Sequence, residues 1–180
     1  MNLQKLEQIF KIQGTKISVV PFRSYLLNLM DLNKFDQDNL KQTNYYAYID
    51  AASEQGYGYT VIENGKPMLS FGVVPQWKGV AELWLIPDQT LIKKHKIKFH
   101  KGALQFMKLA AADLKLHRLH VTVSSLNVSA LKWIKSIYFV EEGILKHYGV
   151  DGSDYKMFAR YFKKLWDHYS KCQNMNHLNK

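Results

Sequence analysis

Hydrophobic residues in the first third of the chain predict one strand followed by helices. Residues 15–21 carry Ile17, Val19 and Val20 and predict a short strand, after an N-terminal segment that can form an additional helix. From residue 22 to 55 the apolar side chains return at steps of three and four, which predicts two helices with a break near Asp36. These positions are Tyr25, Leu26, Leu29, Leu32, Leu40, Tyr45, Tyr48 and Ile49.

The middle of the chain predicts a hairpin and a third adjacent strand. Residues 57–62 and 67–74 are rich in strand-forming residues, and Asn64 and Gly65 between them suit a tight turn that needs positive φ. Residues 81–86 predict the next strand, which Pro87 ends. The order so far is one strand, two helices and three strands.

The second half alternates helices and strands. Apolar positions predict a helix over 98–114, a strand over 119–123, and a helix that Asn127 or Ser129 can cap. Two strands follow, 139–148 and 155–161, and then a short helix over 162–169. The whole pattern predicts one α/β (α+β) domain over residues 1–170 and a flexible tail over 171–180.

Composition favours a soluble protein of the cytoplasm. The chain has 180 residues, 47% of them hydrophobic, and no apolar run long enough to span a bilayer. The N-terminus shows no export signal. The single cysteine, Cys172, has no partner in the chain, which is typical of a reducing compartment.

Positive charge is concentrated between the strand over 81–86 and the helix that follows. The net charge is +10, and lysines crowd the predicted loop at positions 93, 94, 96, 98 and 101. Free amides at a helix N-terminus, together with lysines, can hold a phosphate group. A solvated basic surface and a nucleic-acid contact remain alternatives.

Three motifs in the second half resemble the GNAT acyltransferase superfamily. Ala81-Glu82-Leu83 resembles its fourth strand, and Phe139-x-x-Glu142-Gly143 resembles its sixth strand. Between them, Asn127-x-x-Ala130-x-x-Trp133-Ile134-x-x-x-Tyr138-Phe139 is similar to the Asn-x-x-Ala-x-x-Leu-Tyr-x-x-x-Gly-Phe signature of its fourth helix. The resemblance implies a mixed, mostly antiparallel sheet, splayed between strands 4 and 5 to admit acyl coenzyme A, with helices on both faces.

The resemblance also implies roles for individual residues. Glu82 would be the general base, although a surface carboxylate is the alternative, and the backbone N–H of Leu85 or Ile86 would polarise the thioester carbonyl. Asn127 would contact the pantetheine arm, or simply cap its helix. The remaining residues expected at the cofactor are Lys96, Lys98, Lys101, Gly102 and Ser129.

Two departures from the superfamily pattern bear on catalysis. The glycine-rich pyrophosphate loop is missing, since Gly102 is the only glycine between residues 94 and 103, and lysines stand there instead. Ile134 occupies the place of the tyrosine that commonly protonates the thiolate, which leaves Tyr138 as a substitute acid. The aromatic strand over 84–89, the lysine-rich helix start and Asn127-Val128-Ser129 resemble GNAT-like proteins of tailed bacteriophages, including internal virion proteins.

The sequence therefore predicts an N-acetyltransferase that moves an acetyl group from acetyl-CoA to a primary amine by direct attack. The alternative is a GNAT-fold phage protein with a structural or binding role and little or no catalysis, acting in the host cytoplasm or the virion. The seven histidines show no metal-ligand spacing, so no metal is expected. The acceptor amine stays open, as does the choice between monomer and homodimer, and nucleic acid is a less favoured partner.

Overall fold

Seven strands form one mixed sheet at the centre of the protein. The computed structural model describes residues 1–41 and 45–162. The sheet order is β1-β2-β3-β4-β5-β7-β6, and every neighbouring pair is antiparallel except β4 and β5. The strands are β1 (Ile17–Pro21), β2 (Gly58–Glu63), β3 (Lys66–Trp77), β4 (Val80–Pro87), β5 (Arg118–Ser124), β6 (Val140–Leu145) and β7 (Tyr155–Tyr161).

Helices cover both faces of the sheet. They are α1 (Leu3–Phe10), a 3₁₀ helix (Ser24–Leu29), α2 (Lys34–Leu40), α3 (Tyr45–Glu54), α4 (Gln89–Lys94), α5 (Lys96–Asp113) and α6 (Val128–Ser136). The larger core lies under α1, α5 and α6, where the rings of Phe10 and Phe106 pack on Phe71 of β3. The smaller core lies under the 3₁₀ helix, α2 and α3, around Phe22 and Trp84.

The strands β4 and β5 diverge along their length. They are paired at only three positions, of which Glu82 opposite His120 is the last, although β4 continues to Pro87 and β5 to Ser124. This confirms the splay predicted between the fourth and fifth strands. The fold class predicted from the sequence is confirmed as well.

The predicted loop of lysines is helical, so that prediction was wrong. Asp88 caps α4 by accepting the N–H of Leu91 at 2.9 Å, and a single residue, His95, separates α4 from α5. The helix α5 therefore begins at Lys96 and not at Lys98. Two of the lysines lie in the last turn of α4, where positive charge favours the helix dipole.

The helical region before β2 also differs from the prediction. Its first part is a 3₁₀ helix, and Asp36 lies inside α2 and not at a break. The cause is Asn33, whose side chain accepts the N–H of Asp36 at 3.1 Å and so starts the helix there. The additional N-terminal helix is present as α1, capped by Asn2. The predicted tail and nearly all of the helix expected over 162–169 lie outside the described residues.

In the part of the chain that is described, no helix is long and apolar enough to cross a membrane.

Candidate functional site

The splay leaves backbone groups of β4 directed into an open gap. Asp88 donates its N–H to the carbonyl of Met68 at 2.9 Å, which sets the hydrogen-bonding phase between β3 and β4. Because alternate residues of an antiparallel pair face their partner strand, Ile86 is bonded to Ser70 of β3. Leu85 faces the other way, toward β5. Of the two predicted donors, Leu85 is the one whose N–H is directed into the gap.

The opposite side of the gap has a matching group on β5. Arg118 donates its N–H to the carbonyl of Gly79 at 3.1 Å, so alternate residues of β5, from Arg118 onward, face β4. Thr122 is the first of these beyond the last paired position, and the register gives it no strand partner on that side. The backbone N–H and carbonyl groups of Leu85 on β4 and of Thr122 on β5 therefore face the gap.

Glu82 lies where the gap begins. It belongs to the face of the sheet that carries α3, and its carboxylate accepts the Tyr48 hydroxyl at 3.0 Å and, more weakly, the Gln76 amide at 3.5 Å. Partial burial and the carboxylate raise the pKa of Tyr48, so its hydroxyl stays a donor at neutral pH. The predicted base is therefore half-buried and positioned by a tyrosine.

His120 is the cross-strand neighbour of Glu82. Its side chain is buried, and its Nδ1 atom has no hydrogen-bond partner in the described part of the chain. Burial lowers the pKa of His120, and the Arg118 cation lowers it further, while Glu82 and Glu142 act in the opposite direction. The imidazole is therefore neutral at pH 7.

Arg118 and Glu142 form an ion pair close to His120. Arg118 holds the two oxygens of Glu142 with its two terminal nitrogens, at 2.7 and 2.5 Å, and the Tyr161 hydroxyl donates to the same carboxylate. The hydrogen bond from Arg118 lowers the pKa of Glu142 to about 2. Glu142 therefore stays ionised at any pH near neutrality.

Aromatic side chains border the other side of the gap, under α5 and α6. Trp133 of α6 stacks on Phe99 of α5 with ring centroids 4.9 Å apart. Together with Leu83 and Leu85, Trp133 lines an apolar cavity of about 10 Å³. The Nε1 atom of Trp133 is buried without a partner among the described residues. A buried donor is thus available beside the gap.

A buried carboxylate fixes the junction of α4 and α5. Glu63, at the end of β2, is 3% exposed and accepts a hydrogen bond from His95 Nε2 at 2.9 Å, with Lys94 Nζ 3.5 Å away. Because His95 turns toward this carboxylate, no side chain caps the first turn of α5. The first amides of a helix have no acceptor within it, so those of α5 are left for another partner.

The three lysines predicted at the cofactor all lie on the first two turns of α5. Lys96 and Lys101 are exposed and Lys98 is half-buried, and none of them pairs with a carboxylate of residues 1–41 or 45–162. Gly102 lies on the same helix, but a Cβ there would come within 2.6 Å of the Phe10 ring. Packing of α1 against α5 is sufficient to require a glycine at this position.

Asn127 caps α6 at the end of β5. Its side-chain oxygen accepts the N–H of Ala130 at 3.1 Å, which confirms the capping alternative. The amide nitrogen of the same side chain has no partner among the described residues, so a ligand contact remains compatible with the cap. Ser129, in the first turn of α6, is exposed.

Tyr138 and Glu82 lie on opposite faces of the sheet. Its ring is 69% exposed and lies over Arg160, on the face that carries α6, whereas Glu82 is on the face that carries α3. Ile134 is buried in the larger core. The catalytic role of Tyr138 stays a prediction, and this position does not favour it.

Tyrosines from two further elements lie near Tyr48. Tyr148, after β6, packs on Tyr155 at the start of β7 with centroids 5.3 Å apart. Tyr155 donates its hydroxyl to Asn39 of α2 at 3.3 Å. The face with Glu82 is therefore bordered by aromatic side chains from α3, the β6–β7 connection and the start of β7.

Solved acetyltransferase structures share this architecture. Ard1 from Thermoplasma volcanium is 14% identical, with 81% of this chain and 97% of that chain covered and a TM-score of 0.65. A GNAT-family acetyltransferase from Bacillus anthracis is 15% identical over 83% and 97%, with a TM-score of 0.60. The chain has the GNAT fold.

A third solved structure holds coenzyme A. RimL, a ribosomal L7/L12 alpha-N-protein acetyltransferase in complex with coenzyme A, is 14% identical over 85% of this chain and 97% of its own, with a TM-score of 0.60. In sequence, the chain matches no family model and no curated protein. Its similarity to the GNAT acetyltransferases is thus one of fold, which by itself does not assign a reaction.

The site contains residues that the sequence did not identify. His120 and Tyr48 became candidates only when the parallel pairing of β4 with β5 and the packing of α3 placed them beside Glu82. The alternation of Leu119, His120 and Val121 indicated on which face of the strand His120 lies. It did not indicate that Glu82 is the residue next to it. Among the described residues, no three histidine, cysteine, aspartate or glutamate side chains are grouped to hold a metal ion.

Proposed function

We propose that this protein is an N-acetyltransferase that moves an acetyl group from acetyl-CoA to a primary amine. The observation that carries the proposal is the open gap between β4 and β5, with a half-buried carboxylate, Glu82, at its base. Acetyl-CoA would supply the thioester. The N–H of Leu85, which faces the gap, and the Nε1–H of Trp133, which has no partner among the described residues, fit the carbonyl and amide groups of such a ligand.

Each requirement of the reaction has a candidate residue. The N–H of Leu85 stabilises the oxyanion that forms when the amine attacks the thioester carbon. Glu82 accepts the proton that the amine loses, directly or through a water. Lys96, Lys98 and the first amides of α5 hold phosphates, with Lys101 one turn further on, and Asn127 uses its free amide nitrogen on the pantetheine arm.

Transfer is tested by release of the coenzyme A thiol in the presence of a panel of amines. Glu82→Gln is expected to lower kcat/KM about 100-fold or more, because removal of a general base typically costs 10²–10⁴. Its affinity for acetyl-CoA should be unchanged. Gln76→Ala is the matched control, since it removes the weaker contact to the same carboxylate and leaves the charge. Equal activity of Glu82→Gln and wild type would remove Glu82 from the mechanism.

The phosphate role of α5 is tested by calorimetry. Lys96→Ala combined with Lys98→Ala should weaken acetyl-CoA binding at least tenfold. The control is Lys108→Ala, an exposed lysine of the same helix, about three turns away. Equal weakening by the control would show a general effect of charge and not a site at the start of α5.

A second candidate function is a GNAT-fold protein with a binding or structural role, of the kind that the phage resemblance suggests. It is favoured by Ile134, which is buried in the core at the place where the superfamily pattern has an acidic hydroxyl. Binding of acetyl-CoA without transfer to any amine of the panel would favour this function over the enzyme.

The proposed partners follow from the same site. The acceptor is an amine of a protein or a small molecule, and the protein acts as a monomer or homodimer. We place it in the cytoplasm, or in a virion if a phage encodes it, because its single cysteine suits a reducing compartment. Nucleic acid is a less favoured partner, and affinity that falls steeply with salt would support it.

A further inference from the structure

We infer that His120 is a catalytic residue that acts with Glu82, its imidazole taking the proton from the attacking amine while the carboxylate stabilises the imidazolium that forms. This inference rests on the proposed acetyl transfer. It gives the proton-accepting role, assigned above to Glu82, to a residue that neither the superfamily motifs nor the fold identifies, and leaves Glu82 as its electrostatic partner.

The position of His120 is the first support. It lies on β5 directly opposite Glu82 at the last paired position before the gap opens, so both side chains extend from the same face at the same level. His120 is 7% exposed, and its Nδ1 atom has no hydrogen-bond partner among residues 1–41 and 45–162. A buried polar atom without a protein partner is rare unless a ligand or a water completes its hydrogen bonding.

The charged surroundings are the second support. The groups that face His120 are Glu82 of β4, Arg118 of β5 and Glu142 of β6. Arg118 is held by Glu142 through two hydrogen bonds, so its charge is largely compensated. The Glu82 carboxylate, which the Tyr48 hydroxyl holds, acts on His120 from the paired strand. Burial favours the neutral, proton-accepting ring, and the nearby carboxylate limits the cost of charging it.

The step conserves atoms and charge. The neutral amine attacks the thioester carbon, a C–N bond forms, and the nitrogen becomes positively charged. That nitrogen gives one proton to a ring nitrogen of His120. The C–S bond then breaks, and the thiolate receives the proton from the imidazolium. The products are the acetylated amine and free coenzyme A thiol, and His120 returns to its neutral form.

The decisive experiment measures kcat/KM for wild type and His120→Gln between pH 5 and pH 8. The ratio of the two rates cancels the ionisation of the acceptor. It should reach about 100-fold at pH 8, where the imidazole is neutral, and become smaller as falling pH protonates the ring. His100→Gln, on α5, is the control and should give a ratio near one. A ratio for His120→Gln that is near one at pH 8 would overturn the inference.

A second measurement does not depend on turnover. An NMR titration of the imidazole C–H resonances should give His120 a pKa below 6.5 in the wild type. Glu82→Gln should lower that pKa further, because a negative charge beside the imidazolium is lost. A pKa at or above 6.5, or one that Glu82→Gln leaves unchanged, would contradict the pairing of the two residues.

These outcomes separate the two proposals. Absence of acetyl-CoA binding overturns the proposed function, and absence of transfer with acetyl-CoA bound overturns both the enzyme and the role of His120. Normal transfer with a ratio near one at pH 8 overturns the role of His120 alone.

Discussion

The turn between α6 and β6 places Tyr138 in a backbone conformation that favours glycine. Its φ is 69°, in the left-handed region, where a side chain costs about 1–2 kcal/mol. The ring partly compensates, because it lies 5.5 Å from the guanidinium carbon of Arg160. At an exposed position such a contact contributes about 0.5–1 kcal/mol.

Three variants separate these contributions. Tyr138→Ala keeps the strain and loses the contact, so it should be about 0.5–1 kcal/mol less stable than wild type. Tyr138→Gly loses both, but a glycine gives the unfolded chain extra freedom worth about 0.4–1 kcal/mol. The glycine variant should therefore be close to wild type and about 1 kcal/mol more stable than the alanine variant.

Urea unfolding measures these differences, and thermal unfolding should show a separation of about 2–4 °C between the glycine and alanine variants. An alanine variant as stable as the glycine variant would refute the strain at Tyr138. A third variant, Tyr138→Phe, removes only the hydroxyl. Unchanged acetyl transfer by Tyr138→Phe would show that this tyrosine is not the acid.

Three further predictions concern stability. Burial raises the pKa of Asp36 to about 7, so the free energy of unfolding falls as the pH rises from about 4 to about 7. This fall is worth at most about 4 kcal/mol. Asp36→Asn should remove it, which urea unfolding at pH 8 measures. An unchanged pH dependence would contradict it. The low pKa of Glu142 gives stability that is present above about pH 4.5 and lost toward pH 2, and Arg118→Gln should flatten that loss in acid unfolding. Gly102→Ala should cost about 1–3 kcal/mol, since its Cβ meets a buried ring, whereas Gly143→Ala, with nothing within 4 Å, should change little. Equal effects of the two alanines would contradict this.

The fold was predictable because its signals are local. The alternation of apolar residues set the strands, and Asn64 and Gly65 supplied the positive φ of the β2–β3 turn, 49° and 83° in the structure. The error at α4 has a local cause too. Lysines suggested a solvated loop, but Asp88 supplies a helix cap, and a buried carboxylate on β2 then holds the junction with α5.

The site was less predictable because it depends on contacts between distant residues. Glu82 was found through a short motif, but its partners Tyr48 and His120 come from α3 and β5. The choice between Leu85 and Ile86 depended on the hydrogen-bonding phase of β4, which no local pattern carries. Side-chain types alone did not indicate which of these groups share one face of the sheet.

Hydrogen exchange at the backbone of β4 tests the central proposal most directly. The amide of Leu85 faces the gap and that of Ile86 is bonded to β3, so the two neighbours form an internal comparison. With acetyl-CoA at millimolar concentration, exchange at Leu85 and at Thr122 of β5 should slow, while Ile86 is protected with or without ligand. Unchanged exchange at Leu85 and Thr122 would contradict acyl coenzyme A binding in the gap between β4 and β5.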